Sequence, residues 1–235
     1  MSGVVLGTVL LAGLAAVDAV PVGQTLLSQP LVTAALLGGL WGDWPIAVEV
    51  GVVLQLLAAS TMPIGARTPE DYAVGGVVGT GLALALAAHQ PFAMARDACA
   101  LAGVIAGMAA AKGGVPLLRW QRRRNEGLSR WCETTVLAGR EGALAIAQGA
   151  GVAFAFAVGL SFAAACLVLG RWALGPLVAR ESLRLSRAWL LAQPLWIGFG
   201  FAQILHAFVQ RRLERAALFG LALMAAWVVL VVGVR

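Results

Sequence analysis

The feature that most constrains this chain is the length of its apolar runs. In the first half they are 10 to 15 residues long and broken by glycine, proline and acidic residues. A simple membrane-crossing helix needs about 20 predominantly apolar residues. Yet 60% of the 235 residues are hydrophobic and only 12% are charged. A soluble domain carries about twice that charged fraction and cannot hide so much apolar surface. A soluble enzyme, a nucleic-acid-binding domain and a disordered chain are thereby set aside. The expectation is an all-α, polytopic membrane protein with about six to eight membrane segments, some of them short re-entrant or broken helices.

The first run covers about residues 4–17 and stops at Asp18. Its opening lacks a basic start, so it is expected to stay as a membrane segment rather than act as a cleaved signal. A second run, 31–40, ends at Trp41-Gly42-Asp43-Trp44-Pro45, and a third, 46–59, holds Glu49 and Gln55. A proline-punctuated polar stretch, 60–71, precedes further runs at 74–88 and 98–111. Broken apolar segments are tolerated where the freed backbone faces protein or a water-filled cavity. Residues 18–71 are therefore the expected translocation region; ordinary tilted helices with badly delimited ends are the alternative.

The second half reads as more conventional. A basic stretch at 112–141, expected as a cytoplasmic loop, holds Lys112, Arg119, Arg122, Arg123, Arg124, Arg130 and Arg140. A long run, 142–170, follows, read as one tilted helix or as a helix plus an interfacial segment. Then comes a second basic loop with Arg171, Arg180, Arg184 and Arg187, and runs at 189–209 and 216–234 flank Arg211, Arg212 and Arg215. The positive-inside rule puts the first and third basic clusters in the cytoplasm. The formal charge of +6 thus follows membrane topology rather than a nucleic-acid face. The whole chain reads as a single integral membrane domain: a broken-helix half (1–111), the basic loop, and a spanning half (142–235).

No motif for nucleophilic, metal or phosphate-loop chemistry stands out. His89 and His206 are far apart, and Cys99, Cys132 and Cys166 form no CxxC pair. No catalytic residue, metal or cofactor is expected on this chain. Gly38-Gly39 and Gly75-Gly76 suit close packing of helices. What remains is a set of costly polar groups within or beside the first-half runs: Asp18, Asp43, Glu49, Gln55, Glu70, Asp71, His89 and Gln90. Sugars call for such carboxylates and amides, because each hydroxyl both donates and accepts. Trp41 and Trp44 offer a stacking face or interfacial anchors.

Several strings are similar to one transporter family. Gly13-Leu14-Ala15-Ala16-Val17-Asp18, Gly23-Gln24 and Ser28-Gln29-Pro30-Leu31-Val32 resemble its amino-terminal signature. Leu37-Gly38-Gly39-Leu40-Trp41-Gly42-Asp43 is similar to its L-x-G-x-x-x-G-D string, and Leu54-Gln55-Leu56-Leu57 to its L-E-L-L. Met62-Pro63-Ile64-Gly65-Ala66 and Pro69-Glu70-Asp71 resemble its L-P-V-G-A and P-P-D, and Arg123-Arg124-Asn125 its R-R-x-N. The family is the membrane IIC component of the mannose/fructose/sorbose family of the bacterial phosphotransferase system. The resembling core covers about residues 13–80.

The resemblance implies a helical membrane fold with re-entrant hairpins, in a multi-pass protein of the bacterial inner membrane. It also implies vectorial sugar uptake beside a IID membrane subunit. The sugar would be phosphorylated by a cytoplasmic IIB whose phosphohistidine is charged through IIA. It places sugar contacts at Gln55, Gly65 and Asp71, with Gln24 as a further addition. Gln55 stands where the family has glutamate, and Gln29 where it has arginine. The two changes remove opposite charges, so Gln29 and Gln55 are expected to be a compensated pair. Other readings open from the residues are a non-transporting docking or sensing subunit, and an unrelated secondary transporter using Asp43 and Glu49.

Overall fold

The apolar runs become seven α-helices in the computed structural model, which describes residues 2–19, 22, 25–59, 68–89, 95–208 and 212–233. They are α1 (Ser2–Ala19), α2 (Pro30–Trp41), α3 (Trp44–Ala58), α4 (Tyr72–Ala87), α5 (Ala95–Leu137), α6 (Ala143–Phe208) and α7 (Arg212–Gly233). No strand occurs among the described residues. Two helices, α5 and α6, contain stretches long and apolar enough to cross a membrane.

Helices α2 and α3, of 12 and 15 residues, are only about 18 and 22 Å long. Each starts at a proline-containing first turn, where the missing N–H costs nothing. Between them Gly42 takes a left-handed conformation (φ 72°) and closes α2, its N–H donating to the Gly38 carbonyl. The pair folds back as a hairpin. A Cβ on Gly38 would lie 3.1 Å from both the Ala47 Cβ and the Trp44 backbone, so glycine permits the close return.

Helix α4 is the axis of the fold, with every residue from Tyr72 to Leu86 buried. It packs antiparallel on α5 through two glycine pairs, Gly75 on Gly107 and Gly79 on Gly103. A Cβ on Gly79 would lie 2.8 Å from the Gly103 carbonyl oxygen, and one on Gly103 2.6 Å from the Gly79 oxygen. Small residues four apart on both helices let the backbones touch, as membrane helices do. Gly76 faces Pro30 instead, bringing the start of α2 against the same helix.

These contacts give the bundle two ends. Asp18, the start of α2, the end of α3 and the start of α4 gather at one; Asp43, His89 and the start of α5 gather at the other. Two stretches expected as basic loops are helix. Residues 112–137 continue α5, because arginine, glutamate, leucine and glutamine are good helix formers even where membrane burial ends. From Gly114, which abuts Asp71, about 35 Å of α5 extends past α4 and forms an arm with the start of α6. Residues 171–187 likewise stay within α6, which breaks only at Glu181 (φ −114°, ψ 24°). Before that break Gly170 and Gly175 lie on Leu82 and Leu86; after it Trp189 reaches Glu49 and Gly200 reaches Leu56. The helix thus turns back at Glu181 and returns along α3.

Candidate functional site

Gln29 and Gln55, 26 residues apart, meet. The Gln55 Nε2 donates to Gln29 Oε1 at 2.7 Å, and Gln55 Oε1 accepts from the Leu31 backbone N–H at 3.2 Å. Gln29 occupies the N-cap of α2 without capping it. Gln55, from α3, satisfies one of the first-turn N–H groups that α2 leaves open. The amide still has one N–H and further lone-pair capacity for a ligand.

Asp18 orders the link into this site. Its Oδ1 accepts from the Thr25 N–H (2.5 Å) and hydroxyl (2.7 Å), and its Oδ2 from the Ser28 N–H (2.8 Å). A carboxylate at the end of α1 thereby holds the segment that delivers Gln29.

Asp71 lies at the same end, as N-cap of α4. Its Oδ1 accepts from the Val74 N–H at 3.2 Å, and its own N–H donates to the Ala111 carbonyl at 2.9 Å. It opens onto a cleft of about 890 Å³ between the ends of α1 and α4 and the α5–α6 arm. Glu70, Tyr72, Gln121, Arg122, Asn125 and Gln148 share its lining with a leucine- and glycine-rich wall. The structure thus brings Gln55 and Asp71 to one end of the bundle, each in its own polar cluster. Gln24 and Gly65 lie outside the described residues.

Other polar residues of the first half are engaged elsewhere. Asp43 forms an ion pair with Arg96 at the opposite end, tying the tip of the α2–α3 hairpin to α5. Glu49 Oε1 accepts from Trp189 Nε1 and Gln193 Nε2, both at 2.7 Å, where the returning limb of α6 crosses α3. His89 Nε2 lies 3.1 Å from an Arg171 nitrogen. Trp41 donates its indole N–H to the Thr8 hydroxyl at 2.9 Å. Arg96, Trp189 and Gln193 were not among the residues singled out by sequence. No local pattern links Glu49 to partners about 140 residues away. The signal that could have flagged them is the cost of an unpaired intramembrane carboxylate, which demands a partner somewhere. Among the described residues no group of three or more His, Cys, Asp or Glu side chains could hold a metal ion.

Residues 4–113 match the family model described as "PTS system sorbose-specific iic component". A solved chain described as "Structure of membrane protein" is similar in fold, with a TM-score of 0.70 at 19% identity, covering 94% of this chain and 85% of that one. No curated protein matches. The likeness of fold over nearly the whole chain and the family match over its broken-helix half agree. Through residues 4–113 the protein belongs to the family of membrane IIC components of the mannose/fructose/sorbose type of phosphotransferase system.

Proposed function

We propose that this chain is a sugar-translocating IIC subunit, working beside a IID membrane subunit and delivering sugar to a cytoplasmic IIB that is charged through IIA. Its own part is to bind the sugar and pass it across the membrane; the phosphoryl group stays on the partners until the sugar arrives. The observation that carries the reading is the meeting of Gln29 and Gln55 at the root of a helix hairpin too short to cross a bilayer, at the same end as Asp71. Amides and a carboxylate held there by backbone donors suit a ligand whose hydroxyls both donate and accept. Gln55, Gly65 and Asp71 are the proposed sugar contacts, with Gln24 beside them.

Orientation follows from charge. The Asp71 end carries the arm with Lys112, Arg119, Arg122, Arg123, Arg124, Arg130 and Arg140, and the start of α7 with Arg212 and Arg215. The positive-inside rule assigns that end to the cytoplasm of a multi-pass inner-membrane protein.

The test is phosphoenolpyruvate-dependent uptake of labelled mannose, fructose and sorbose in cells with and without this chain, with IIA, IIB and IID present. Intracellular phosphorylated sugar that depends on the chain is the expected result. No phosphorylated product from any hexose or amino sugar contradicts it. The neutral Gln29–Gln55 contact, where the family carries opposite charges, also suits a docking or sensing descendant without transport. Retained partner binding without uptake selects that reading.

A further inference from the structure

The cleft beside Asp71 rises well above the carboxylates. Gly114 packs on Asp71, so Gln121 and Asn125 stand two and three helical turns further along α5, about 10 and 16 Å away. The antiparallel register of the arm is set by Phe162 lying 3.6 Å from a Cβ on Gly113 and by Trp120 and Phe154, whose ring centroids are 5.3 Å apart. That register brings Gln148 of α6 level with Asn125. The cleft therefore has two polar tiers, Glu70 and Asp71 below and three amides above, with Arg122 at the upper rim and Glu133 about two turns higher still. Leu117, Leu118 and Phe162 line the wall between the tiers.

We propose that the upper tier, formed by Gln121, Asn125 and Gln148, is a second sugar-binding site, which the sugar occupies on its way from Asp71 toward the basic end of the protein. This rests on the reading of the chain as a sugar-translocating subunit and extends it to residues beyond the matched family region. Three amides offer six N–H donors and three carbonyl acceptors, which match vicinal hydroxyls. The apolar wall accommodates the C–H faces of a sugar ring. No carboxylate belongs to this tier, and Arg122 provides a cation for a sugar that has been phosphorylated. The tiers are too far apart for one monosaccharide to touch both, so they act as successive stations.

The experiment uses the full-length chain in membrane vesicles, with Cys99, Cys132 and Cys166 replaced and Ser129→Cys introduced one turn above Asn125. Mannose, fructose and sorbose, and their phosphate esters, are the probes. The sugar that is transported slows maleimide labelling of the Ser129→Cys thiol at least threefold. Labelling of Glu126→Cys, which does not line the cleft, stays unchanged. Protection by the ester alone assigns the tier to product and overturns its role as a sugar site. Asn125→Ala and Gln148→Ala each raise KM about 2- to 10-fold with kcat retained, the effect of one lost neutral hydrogen bond. Transport without protection at Ser129→Cys, or with KM unchanged in both alanine variants, overturns the site and leaves the function reading intact. Absence of uptake of all three sugars overturns both. If an alanine variant does not fold, protection at Ser129→Cys decides by itself.

Discussion

The two halves of this protein solve the same problem in opposite ways. In residues 2–111, short helices bury nearly everything: α4 is enclosed on all sides, and glycines bring backbones into contact. From residue 112 onward the helices are long, and large apolar side chains such as Leu144, Ile146, Val168 and Trp172 face outward. Glycines 127, 142, 149 and 151 have open space where a side chain would stand. The first half is packed on itself, whereas the second half presents its apolar surface to lipid or to partners. A polar site belongs in the first, because only there can surrounding protein satisfy broken helix ends.

Substitutions can break that comparison, and glycine does so most sharply. Gly79→Val drives a branched side chain into the Gly103 carbonyl and the Leu54 side chain. A loss of about 3 kcal/mol or more is expected, read as failure to recover folded protein or a large fall in Tm. Gly149→Ala, with nothing nearby, is expected to stabilise α6 by about 0.5–1 kcal/mol. Equal effects at the two positions would erase the distinction between the halves.

Next in size is the junction between them. Trp189→Phe keeps the ring but removes one of the two N–H donors to Glu49. A loss of about 1–2 kcal/mol is expected by thermal unfolding in detergent, the upper range for hydrogen bonds between membrane helices. Asp71→Ala removes the cap of α4 and costs about 1 kcal/mol. It also abolishes uptake, while Asp71→Asn keeps most of the cap and still impairs uptake if the carboxylate meets the sugar. The smallest effect is Arg96→Ala. The Asp43–Arg96 pair is partly exposed, with side-chain exposures of 25% and 43%, and contributes about 0.2–1 kcal/mol, weakening further in high salt.

Much of the first half was legible in its hydropathy. The runs 31–40, 46–59 and 74–88 differ from α2, α3 and α4 by no more than two residues at either end. The close packing expected of Gly38, Gly75 and Gly76 is found, and Gln29 does meet Gln55. The second half was less legible, because a hydropathy run marks where burial ends and not where a helix ends. Arg119 to Arg130 and Arg171 to Arg187 interrupt the apolar pattern without interrupting the backbone, and Pro116, Pro176 and Pro194 all sit inside helices. The reversal occurs instead at Glu181, between two prolines and at neither. The partners of Asp43 and Glu49 were illegible for a different reason. They join helices 53 to 144 residues apart, a distance over which no periodicity carries information.

The central claim is that the Gln29–Gln55 contact forms the heart of the sugar site and replaces an ion pair. A double-mutant cycle on sugar uptake tests it directly. Gln29→Arg or Gln55→Glu alone places an unpaired charge at a half-buried contact and is expected to lower uptake tenfold or more. Both together restore a pair across the same 2.7 Å contact and are expected to return uptake to within a few-fold of the starting chain. Additive losses, with the double variant worse than either single one, would contradict the claim.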